Sequence, residues 1–329
     1  MAKIKIGLYG INGHQVHNVL VNHPLGECVA VAGIEPELIP QPLRTRKGFT
    51  FADDLDALLA DKRIELISLC SPHRRQQAQQ AIQCLEAGKH VYAEKPCAMT
   101  EQDLDAILAA VENTGMEFHE MAGTAFTQPY YKMRQLVQSG TIGSVVQVFA
   151  QKSYPYHDRR PQDEDRDGGL LLQAGVHALR FIEHVAGTRV QEISAIETQN
   201  GNPGKGNLRM ATSMMMRLEN GGVASVICNY LNPPAFPTWG NECLRIFGTQ
   251  GFIEAIDGGM KTRLVLNDQD CGALDIDRGS VDYLDLILNT LQGNGRMPFT
   301  LEEEIHPTRI LIRAKMDADA RGLQVMEDL

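Results

Sequence analysis

An acid and a base stand side by side at Glu94 and Lys95, directly after the short apolar run His90–Ala93. Such a run predicts a buried strand, and ligands of open α/β sheets bind beyond the carboxyl ends of the strands. The ammonium group of Lys95 could polarise a carbonyl or alkoxide oxygen there and pass protons, with Glu94 as its ion-pair partner. From these residues alone, the alternative is a surface salt bridge without a catalytic role.

The glycine turn Gly10–His14 follows the strand predicted at Ile4–Tyr9 and is a second place where the sequence could do chemistry. The apolar spacing of Val16, Leu20 and Val21 predicts a helix after the turn. Backbone amides at the amino terminus of a helix can approach a pyrophosphate, which the helix dipole also favours.

This turn matches the dinucleotide-binding template G-x-G-x-x-G only in part. Counted from Gly10, Asn12 and Gln15 stand at the second and third glycine positions. Asn tolerates positive φ better than most residues, and Gly13 could supply the close approach instead. A nucleotide site and a plain strand-to-helix turn are both compatible with this motif. The residues expected to hold a cofactor here are Gly10, Ile11, Asn12, Gly13 and His14.

An acidic residue after the second predicted strand, Cys28–Gly33, would complete the fingerprint by holding the ribose hydroxyls of adenosine. Glu35 is the candidate, and its alternative is a solvated loop carboxylate. A carboxylate at this place would repel a 2′-phosphate, which favours NAD over NADP. The basic residues of the next loop could reverse that preference, or they form an exposed basic turn. They are Arg44, Arg46 and Lys47.

Short apolar runs alternate with amphipathic stretches over the first 121 residues, a pattern typical of a parallel sheet wrapped by helices. A helix is expected over Arg74–Ala87, ending at Gly88, and another follows the capping box of Thr100 and Asp103. The predicted strands are Ile4–Tyr9, Cys28–Gly33, Ile64–Leu69, His90–Ala93 and Glu117–Met121.

After Met121 the pattern changes to long alternating runs that suit antiparallel strands with one solvated face. The long polar loop Tyr154–Asp167 interrupts them, and loops of this length are often functional. We therefore expect two domains, at residues 1–122 and 123–329. In the second, strands are expected at Ser144–Lys152, Leu208–Leu218 and Gly222–Tyr230, and helices at Leu170–Ala186, Val281–Leu291 and Pro307–Ala320.

The segment Cys84–Pro96, CLEAGKHVYAEKP, resembles the A-L-x-A-G-K-H-V-x-x-E-K-P signature of the GFO/IDH/MocA oxidoreductase family. The likeness extends to the Ser71-Pro72 turn, to Ser139–Gly143 and to Phe247–Gly251. It implies an α/β fold with an N-terminal Rossmann dinucleotide-binding domain. A C-terminal α+β domain with an open, mainly antiparallel sheet would serve substrate binding and oligomerisation. The resemblance also implies NAD, or NADP, as cofactor. Further residues expected beside it are Ser71, Pro72, Glu94 and Lys95.

The stretch Gly168–His177 is similar to the G-G-x-L-x-D-x-G-x-H motif of that family, and this likeness points to His177 as the catalytic base. Gln173 and His177 share a face of the predicted helix. Gln173 stands where the family usually has Asp, so an imidazolium at His177 lacks a carboxylate neighbour, although the amide can still orient the ring. Gly175, costly inside a helix, is expected where cofactor or substrate passes close to the backbone. The loop residues expected at the substrate are Tyr154, Tyr156 and His157.

The activity that the resemblance implies is reversible hydride transfer between nicotinamide and a hydroxyl-bearing carbon of a sugar, polyol or cyclitol-like substrate. His177 would take the hydroxyl proton, Lys95 would stabilise the charge on the oxygen, and Gln173 would orient ring or substrate. These three residues are the expected catalytic set and also contact the substrate. Two alternatives stay open: an NAD-using lyase or glycosidase that acts by transient oxidation, and a non-catalytic binding or regulatory protein on the same scaffold.

Composition narrows the classes of partner. The 329 residues carry a net charge of −10, so bulk electrostatics disfavour nucleic acid and anionic membranes. The sequence has no run of 18 apolar residues and no cleavable leader pattern, which predicts a cytoplasmic protein that does not bind membranes. The seven cysteines lack zinc-like spacing, so no metal is expected. The resemblance implies a homodimer or homotetramer.

Overall fold

The computed structural model describes residues 2–327, with side chains as far as residue 322. The chain divides into two compact units. The first comprises residues 2–121 together with Asp165–Gly168 and Tyr283–His306, and the second comprises Ala122–Glu164, Gly169–Asp282 and residues 307–327. We expected Asp165–Gly168 and Tyr283–His306 in the second domain, at residues 123–329, but both segments belong to the first unit. Residues 1, 328 and 329 of the predicted boundaries lie outside the described residues.

The first unit is built on a parallel sheet of six strands. They are β1 (Ile4–Tyr9), β2 (Gly26–Ala32), β3 (Thr50–Phe51), β4 (Leu66–Leu69), β5 (His90–Ala93) and β6 (Phe118–Glu120). Between them lie α1 (Gln41–Arg44), α2 (Leu55–Ala60), α3 (Gln77–Glu86) and α4 (Glu101–Thr114). The spatial order β3-β2-β1-β4-β5-β6 is that of a Rossmann fold, so the order reverses between β1 and β4. All four residues of β4 are buried, as expected for a strand covered on both faces.

The helix that we predicted after the glycine turn does not form. The segment contains only a single 3-10 turn, Val19–Val21. Three valines and two asparagines lie between Gly13 and Pro24, and these residue types lower helix propensity. Pro24 then stops any extension of a helix towards β2. The glycine turn consequently has no α-helix dipole behind it.

The second unit carries a mainly antiparallel sheet of eight strands, in the order β14-β13-β12-β11-β7-β10-β9-β8. Only β7 and β10 pair in parallel. The strands are β7 (Val145–Ser153), β8 (Val190–Thr198), β9 (Ala211–Leu218), β10 (Val223–Asn229), β11 (Asn241–Gly248), β12 (Gly251–Ile256), β13 (Lys261–Leu266) and β14 (Gln269–Gly272). Two helices precede β8: α5 (Tyr130–Gln138) and α6 (Gly169–Arg180), the latter continued by a π-helical turn at Phe181–Val185. The predicted fold class is confirmed.

Two helices close the chain, α7 (Tyr283–Leu291) and α8 (Leu301–Glu327). Helix α7 belongs to the first unit because its side chains reach β2 and the preceding turn: Asp285 Oδ1 lies 3.0 Å from His23 Nε2. Helix α8 starts six residues before the predicted Pro307, since Thr300 and Glu303 form a capping box in which Glu303 N–H donates to Thr300 Oγ1 at 3.3 Å.

Candidate active site

The glycine turn lies at the carboxyl end of β1 and is fastened to the end of β4. The amide of Asn12 donates to the carbonyl of Cys70 at 3.3 Å. Gly10 has φ 68°, and a Cβ there would lie 2.2 Å from the Cys70 oxygen. This position therefore requires glycine. The turn sits at the β1/β4 reversal point, where open α/β sheets bind their ligands.

Both side chains that replace the template glycines are bonded to backbone. The side-chain Nδ2 of Asn12 donates to the carbonyls of Arg166, at 2.8 Å, and Pro72, at 3.3 Å. Gln15 is buried; its Nε2 donates to the carbonyls of Gly10 and Ser68, and its Oε1 accepts from the Ser68 hydroxyl at 2.6 Å. The substituted turn is thus held by specific side-chain contacts.

Glu94 lies beneath this turn as a buried carboxylate. It accepts the backbone N–H of His14 at 2.5 Å, and its Oε1 is 3.8 Å from Lys95 Nζ. Burial raises the pKa of Glu94, but the hydrogen bond from His14 and the positive charges of His14, Lys95 and Arg74 outweigh it and hold the pKa at about 2. A Cβ on Gly13 would lie 2.5 Å from the Glu94 carboxyl carbon, so this glycine makes room for Glu94.

Lys95 ends the strand region of β5 and is 2% exposed. The Lys95–Glu94 ion pair is therefore buried and does not lie at the surface. Two residues that the sequence did not single out support this corner. Arg74 is buried and its Nη2 donates to the carbonyl of Asn12 at 2.7 Å, while Gln77 donates to the carbonyls of Glu94 and Pro96. The stretch His73–Gln80 is mostly polar, so nothing in its sequence pattern distinguishes these two residues from their exposed neighbours.

The remaining predicted cofactor residues of the first unit lie around the same strand ends. Ser71 is buried after β4, and its backbone N–H donates to Gln77 Oε1 at 3.2 Å. Pro72 is exposed and Ile11 is partly buried. Glu35 is exposed on the loop after β2, just before a 3-10 turn at Pro36–Leu38.

The basic residues near Glu35 separate into two groups. Arg44 stays close, because its Nη1 donates to the carbonyl of Pro36 at 3.4 Å. Arg46 lies at the opposite edge of the sheet: its Nη1 is 4.0 Å from Glu27, which pairs with Lys5 at the amino ends of β2 and β1. Ligands bind at the carboxyl ends. Arg46 is thus placed away from any phosphate held there.

In the second unit, α6 is buried along its length except at two residues, Gln173 and His177. These are one turn apart and share a face. The Nδ1 atom of His177 lies 2.8 Å from the hydroxyl of Thr124, which fixes the ring. Gln173 Oε1 accepts at 3.4 Å from Arg160 Nη1 and from the Tyr230 hydroxyl. Gln173 and His177 therefore form a polar strip along one side of α6.

The presence of Gly175 inside α6 has a different explanation from the one that we expected. A Cβ there would lie 2.8 Å from Leu311 Cδ2 of α8. The glycine therefore admits a packing side chain, and the explanation by a passing cofactor or substrate was wrong. Arg180, at the end of α6, is buried and donates to the carbonyl of Ala122 at 2.7 Å.

The predicted substrate loop brings together some of its named residues. The rings of Tyr154 and His157 both approach Trp239, at centroid distances of 6.5 and 5.9 Å. Tyr156 points elsewhere, to Gln162 Nε2 at 3.5 Å. Burial, together with the charges of Arg160 and Arg159, lowers the pKa of His157. Trp239 was missed by the sequence analysis, although it is the chain's single tryptophan.

Residues 2–327 contain neither a metal-binding cluster nor a membrane-spanning helix. No cluster of three or more His, Cys, Asp or Glu side chains in this range could hold a metal ion. No helix within it is long and apolar enough to cross a membrane.

Both units match known protein families. The profile described as "Oxidoreductase family, NAD-binding Rossmann fold" matches residues 4–121. The profile described as "GFO/IDH/MocA C-terminal domain" matches residues 130–254. The first unit is accordingly an NAD-binding Rossmann domain.

Individual proteins with similar sequence or structure are dehydrogenases and other oxidoreductases. Myo-inositol 2-dehydrogenase of Thermotoga maritima is 25% identical over 225 residues, which are 66% of this chain and 63% of that protein. An oxidoreductase structure from Thermotoga maritima has a TM-score of 0.85 at 23% identity, covering 96% of this chain and 98% of the other. Levoglucosan dehydrogenase in complex with NADH and levoglucosan has a TM-score of 0.80 at 17% identity, covering 97% and 98%. The two structural likenesses show the fold.

Proposed function

This chain belongs to the GFO/IDH/MocA oxidoreductase family, and we propose that it is an NAD-dependent dehydrogenase acting on a hydroxyl-bearing carbon of a sugar, polyol or cyclitol-like substrate. The observation that carries the proposal is the face of α6. Burial is complete along this helix except at Gln173 and His177, and His177 is oriented by Thr124. A helix whose only incompletely buried side chains are an amide and an imidazole is suited to bind a hydroxyl and accept its proton.

The residues of the first unit fit a dinucleotide. The glycine turn lies at the reversal point of the strand order, Glu35 follows the neighbouring strand, and the buried cations Arg74 and Lys95 lie beside the turn. A bound nicotinamide would supply the hydride chemistry. Gly10, Ile11, Asn12 and Gly13 would line the pyrophosphate, with Ser71 and Pro72 beside it.

His14 would have a smaller part in cofactor binding than the sequence suggested. Its backbone N–H is the donor to Glu94, so this amide is already bonded within the chain. Its imidazole contacts the same carboxylate at 3.1 Å. We assign His14 and Glu94 to shaping the turn.

Lys95 and His177 share the proton work in this proposal, and Gln173 assists them. His177 takes the hydroxyl proton during oxidation, Lys95 stabilises the developing charge on the oxygen, and Gln173 orients the ring or the substrate. Gln173 carries no charge, so the imidazolium formed at His177 is stabilised less than it would be beside an Asp. We expect the acid limb of the pH profile that His177 governs to lie at lower pH than in relatives with Asp at this position.

The cofactor is proposed to be NAD rather than NADP. Glu35 would meet the adenosine ribose, and its charge would repel a 2′-phosphate. Arg46 pairs at the opposite edge of the sheet, so it cannot offset that repulsion. Arg44 lies near Glu35, since its Nη1 donates to the carbonyl of Pro36.

The test is to incubate the purified chain with NAD and a panel of cyclitols, aldoses and cyclic diols, and to follow the absorbance of reduced nicotinamide. We expect saturable reduction with at least one member. The matched variant His177→Gln should lose roughly 100- to 10,000-fold in kcat while binding NADH as tightly as the parent. Product formation without any net reduction would instead indicate the redox-neutral lyase or glycosidase reaction. NADH binding without any turnover would indicate a non-catalytic protein.

A further inference from the structure

The chain's single tryptophan, Trp239, is 59% exposed in the loop 231–240 between β10 and β11. A large, rigid aromatic ring at the surface offers apolar contact area together with an N–H donor, which is why tryptophan is enriched where proteins bind other molecules. The loop backbone is nevertheless well fixed. Asn232, which is buried, donates through its side chain to the carbonyls of Thr238, at 3.2 Å, and Trp239, at 3.0 Å.

The same loop is joined to the predicted substrate loop. The amide of Asn232 donates to the carbonyl of Tyr154 at 3.1 Å, and Pro155 and Leu231 form an isolated antiparallel bridge. Backbone bonds therefore hold Trp239 in place while its ring stays uncovered. A ring presented in this way is preorganised for contact with another molecule.

Three aromatic rings form a patch around this position, which we call the Trp239 platform: Tyr154, His157 and Trp239. The inter-ring angles are 40° and 37°. Lys152 Nζ lies 5.1 Å from the Tyr154 ring on the side of the β7 strand. Because burial and the nearby arginines lower the pKa of His157, its ring is neutral near pH 7 and adds no charge to the platform.

Polar groups connect the platform to the face of α6. The amide of Arg160 donates to the carbonyl of His157 at 2.9 Å, and its guanidinium lies 3.7 Å from the centre of the Tyr230 ring. Arg160 and Tyr230 both reach Gln173 Oε1 at 3.4 Å. Within the second unit, Arg160 therefore links the aromatic platform to the polar side chain of Gln173 on α6.

We propose that the Trp239 platform stacks against the C–H face of a ring-shaped polyol and selects cyclic over open-chain substrates. A cyclitol or pyranose has an apolar face of C–H groups and a rim of hydroxyls. The aromatic Trp239 platform would contact the C–H face, and polar side chains such as Gln173 would bond the hydroxyls. An open-chain polyol has no such persistent face. This inference rests on the proposed function, because it deepens the substrate class of the same site.

The first experiment uses tryptophan fluorescence, which reports on Trp239 alone. The protein is saturated with NADH, which cannot oxidise a polyol, so that no turnover occurs, and is titrated with myo-inositol and, separately, with the open-chain hexitol sorbitol. We expect a saturable change in emission with myo-inositol and a much weaker one with sorbitol. A parallel calorimetric titration shows when the ring compound saturates the protein. If the emission is unchanged at that saturation, the proposal is wrong.

The second experiment compares Trp239→Phe, Trp239→Ala and the control Leu231→Ala, which removes an apolar side chain of similar exposure, 58%, from the same loop. We expect Trp239→Ala to raise KM for the best cyclic substrate roughly 10- to 100-fold with little change in kcat, and Trp239→Phe to retain most of the affinity. Leu231→Ala should behave like the parent.

Other outcomes overturn the proposal. An equal loss for cyclic and open-chain substrates would show a general structural effect, which the melting temperature of each variant also monitors. A changed oligomeric state of Trp239→Ala with unaltered KM would show that the ring is covered by another copy of the chain. Failure of the proposed function is distinguishable: wild-type protein would then give the fluorescence change without reducing NAD.

Discussion

The glycine turn of the first unit and helix α6 of the second both depart from the motifs of the family, but they do so in different ways. At the turn, Asn12 and Gln15 replace glycines, and both side chains are bonded to surrounding backbone. On α6, Gln173 replaces an acid, and Arg160 Nη1 and the Tyr230 hydroxyl lie 3.4 Å from its Oε1. The first departure is compensated structurally, whereas the second changes the charge beside the candidate base.

This difference shows why a motif departure does not by itself indicate lost function. A replaced glycine matters if its backbone conformation or the space above it is lost. Gly10 and Gly13 keep positive φ, at 68° and 128°, where a Cβ would clash with Cys70 and Glu94. A replaced carboxylate removes a charge, and no rearrangement of neutral neighbours restores it.

The largest expected effect tests the turn through Glu94→Gln. The folded-state pKa of about 2 lies below the ordinary value of 4.5, so the charge of Glu94 stabilises the fold fully above pH 4.5 and this contribution is lost as the pH falls towards 2. We expect the variant to be less stable by about 3 kcal/mol at neutral pH, with the difference shrinking at acid pH. Urea unfolding at a series of pH values measures this.

The control for that experiment is Glu35→Gln, which neutralises an exposed carboxylate of the same unit. Its stability should follow that of the parent across the pH range. A Glu94→Gln difference that stays constant from pH 7 to acid would contradict a charged Glu94 beneath the turn.

A smaller effect is expected for Gln15→Ala. The substitution leaves the Ser68 hydroxyl and the carbonyls of Gly10 and Ser68 without their partner, which costs about 1–3 kcal/mol of unfolding free energy. The loosened turn should also bind NADH more weakly, as measured by fluorescence titration. The exposed Gln76 provides the control Gln76→Ala. Unchanged NADH affinity in the destabilised Gln15→Ala variant would separate the turn's stability from cofactor binding.

The smallest effect concerns α6 and the variant Gln173→Asp. A carboxylate one turn before His177 favours the imidazolium, so it raises the pKa of the base relative to the parent. Because the base acts when deprotonated, the acid limb of kcat/KM should move to higher pH, by about one unit or less at this partly exposed place. Gln173→Asn, which shortens the side chain without adding charge, should leave the limb where it is. An equal movement in both variants would refute the electrostatic explanation.

Much of the fold follows from local pattern. β1 and β5 have the predicted bounds because each is a short apolar run between polar residues, and Gly88 has φ 74° at the end of α3, where the sequence placed a left-handed residue. The helix expected after Gly13 does not form because valines and asparagines, which lower helix propensity, make up half of residues 14–23. Pattern alone also could not show that α7 packs on the first unit, since that depends on distant partners such as His23.

The candidate site was predictable where a motif names the residue, as at Lys95, Gln173 and His177. It was not predictable where the partner comes from another segment. Arg74 beneath Asn12 and Trp239 beside His157 are separated from those partners by 62 and 82 residues, respectively, and no local spacing connects them. Assembly into an oligomer and a cytoplasmic location stay predictions of the sequence.

The two anchors of the substrate loop have a consequence for how such a protein can change. At one end, Lys315 Nζ holds Glu164 at 2.9 Å within the second unit. Just beyond, Asn12 holds the carbonyl of Arg166 and Arg75 pairs with Asp165 at 2.7 Å within the first. At the other end of the loop, the backbone N–H of Tyr154 donates to the carbonyl of Asn229 at 2.9 Å, so residues 155–163 lie between two fixed points. Selection, or an engineer, could rewrite them to accept new substrates while the cofactor turn and the helix bearing His177 keep their own supports.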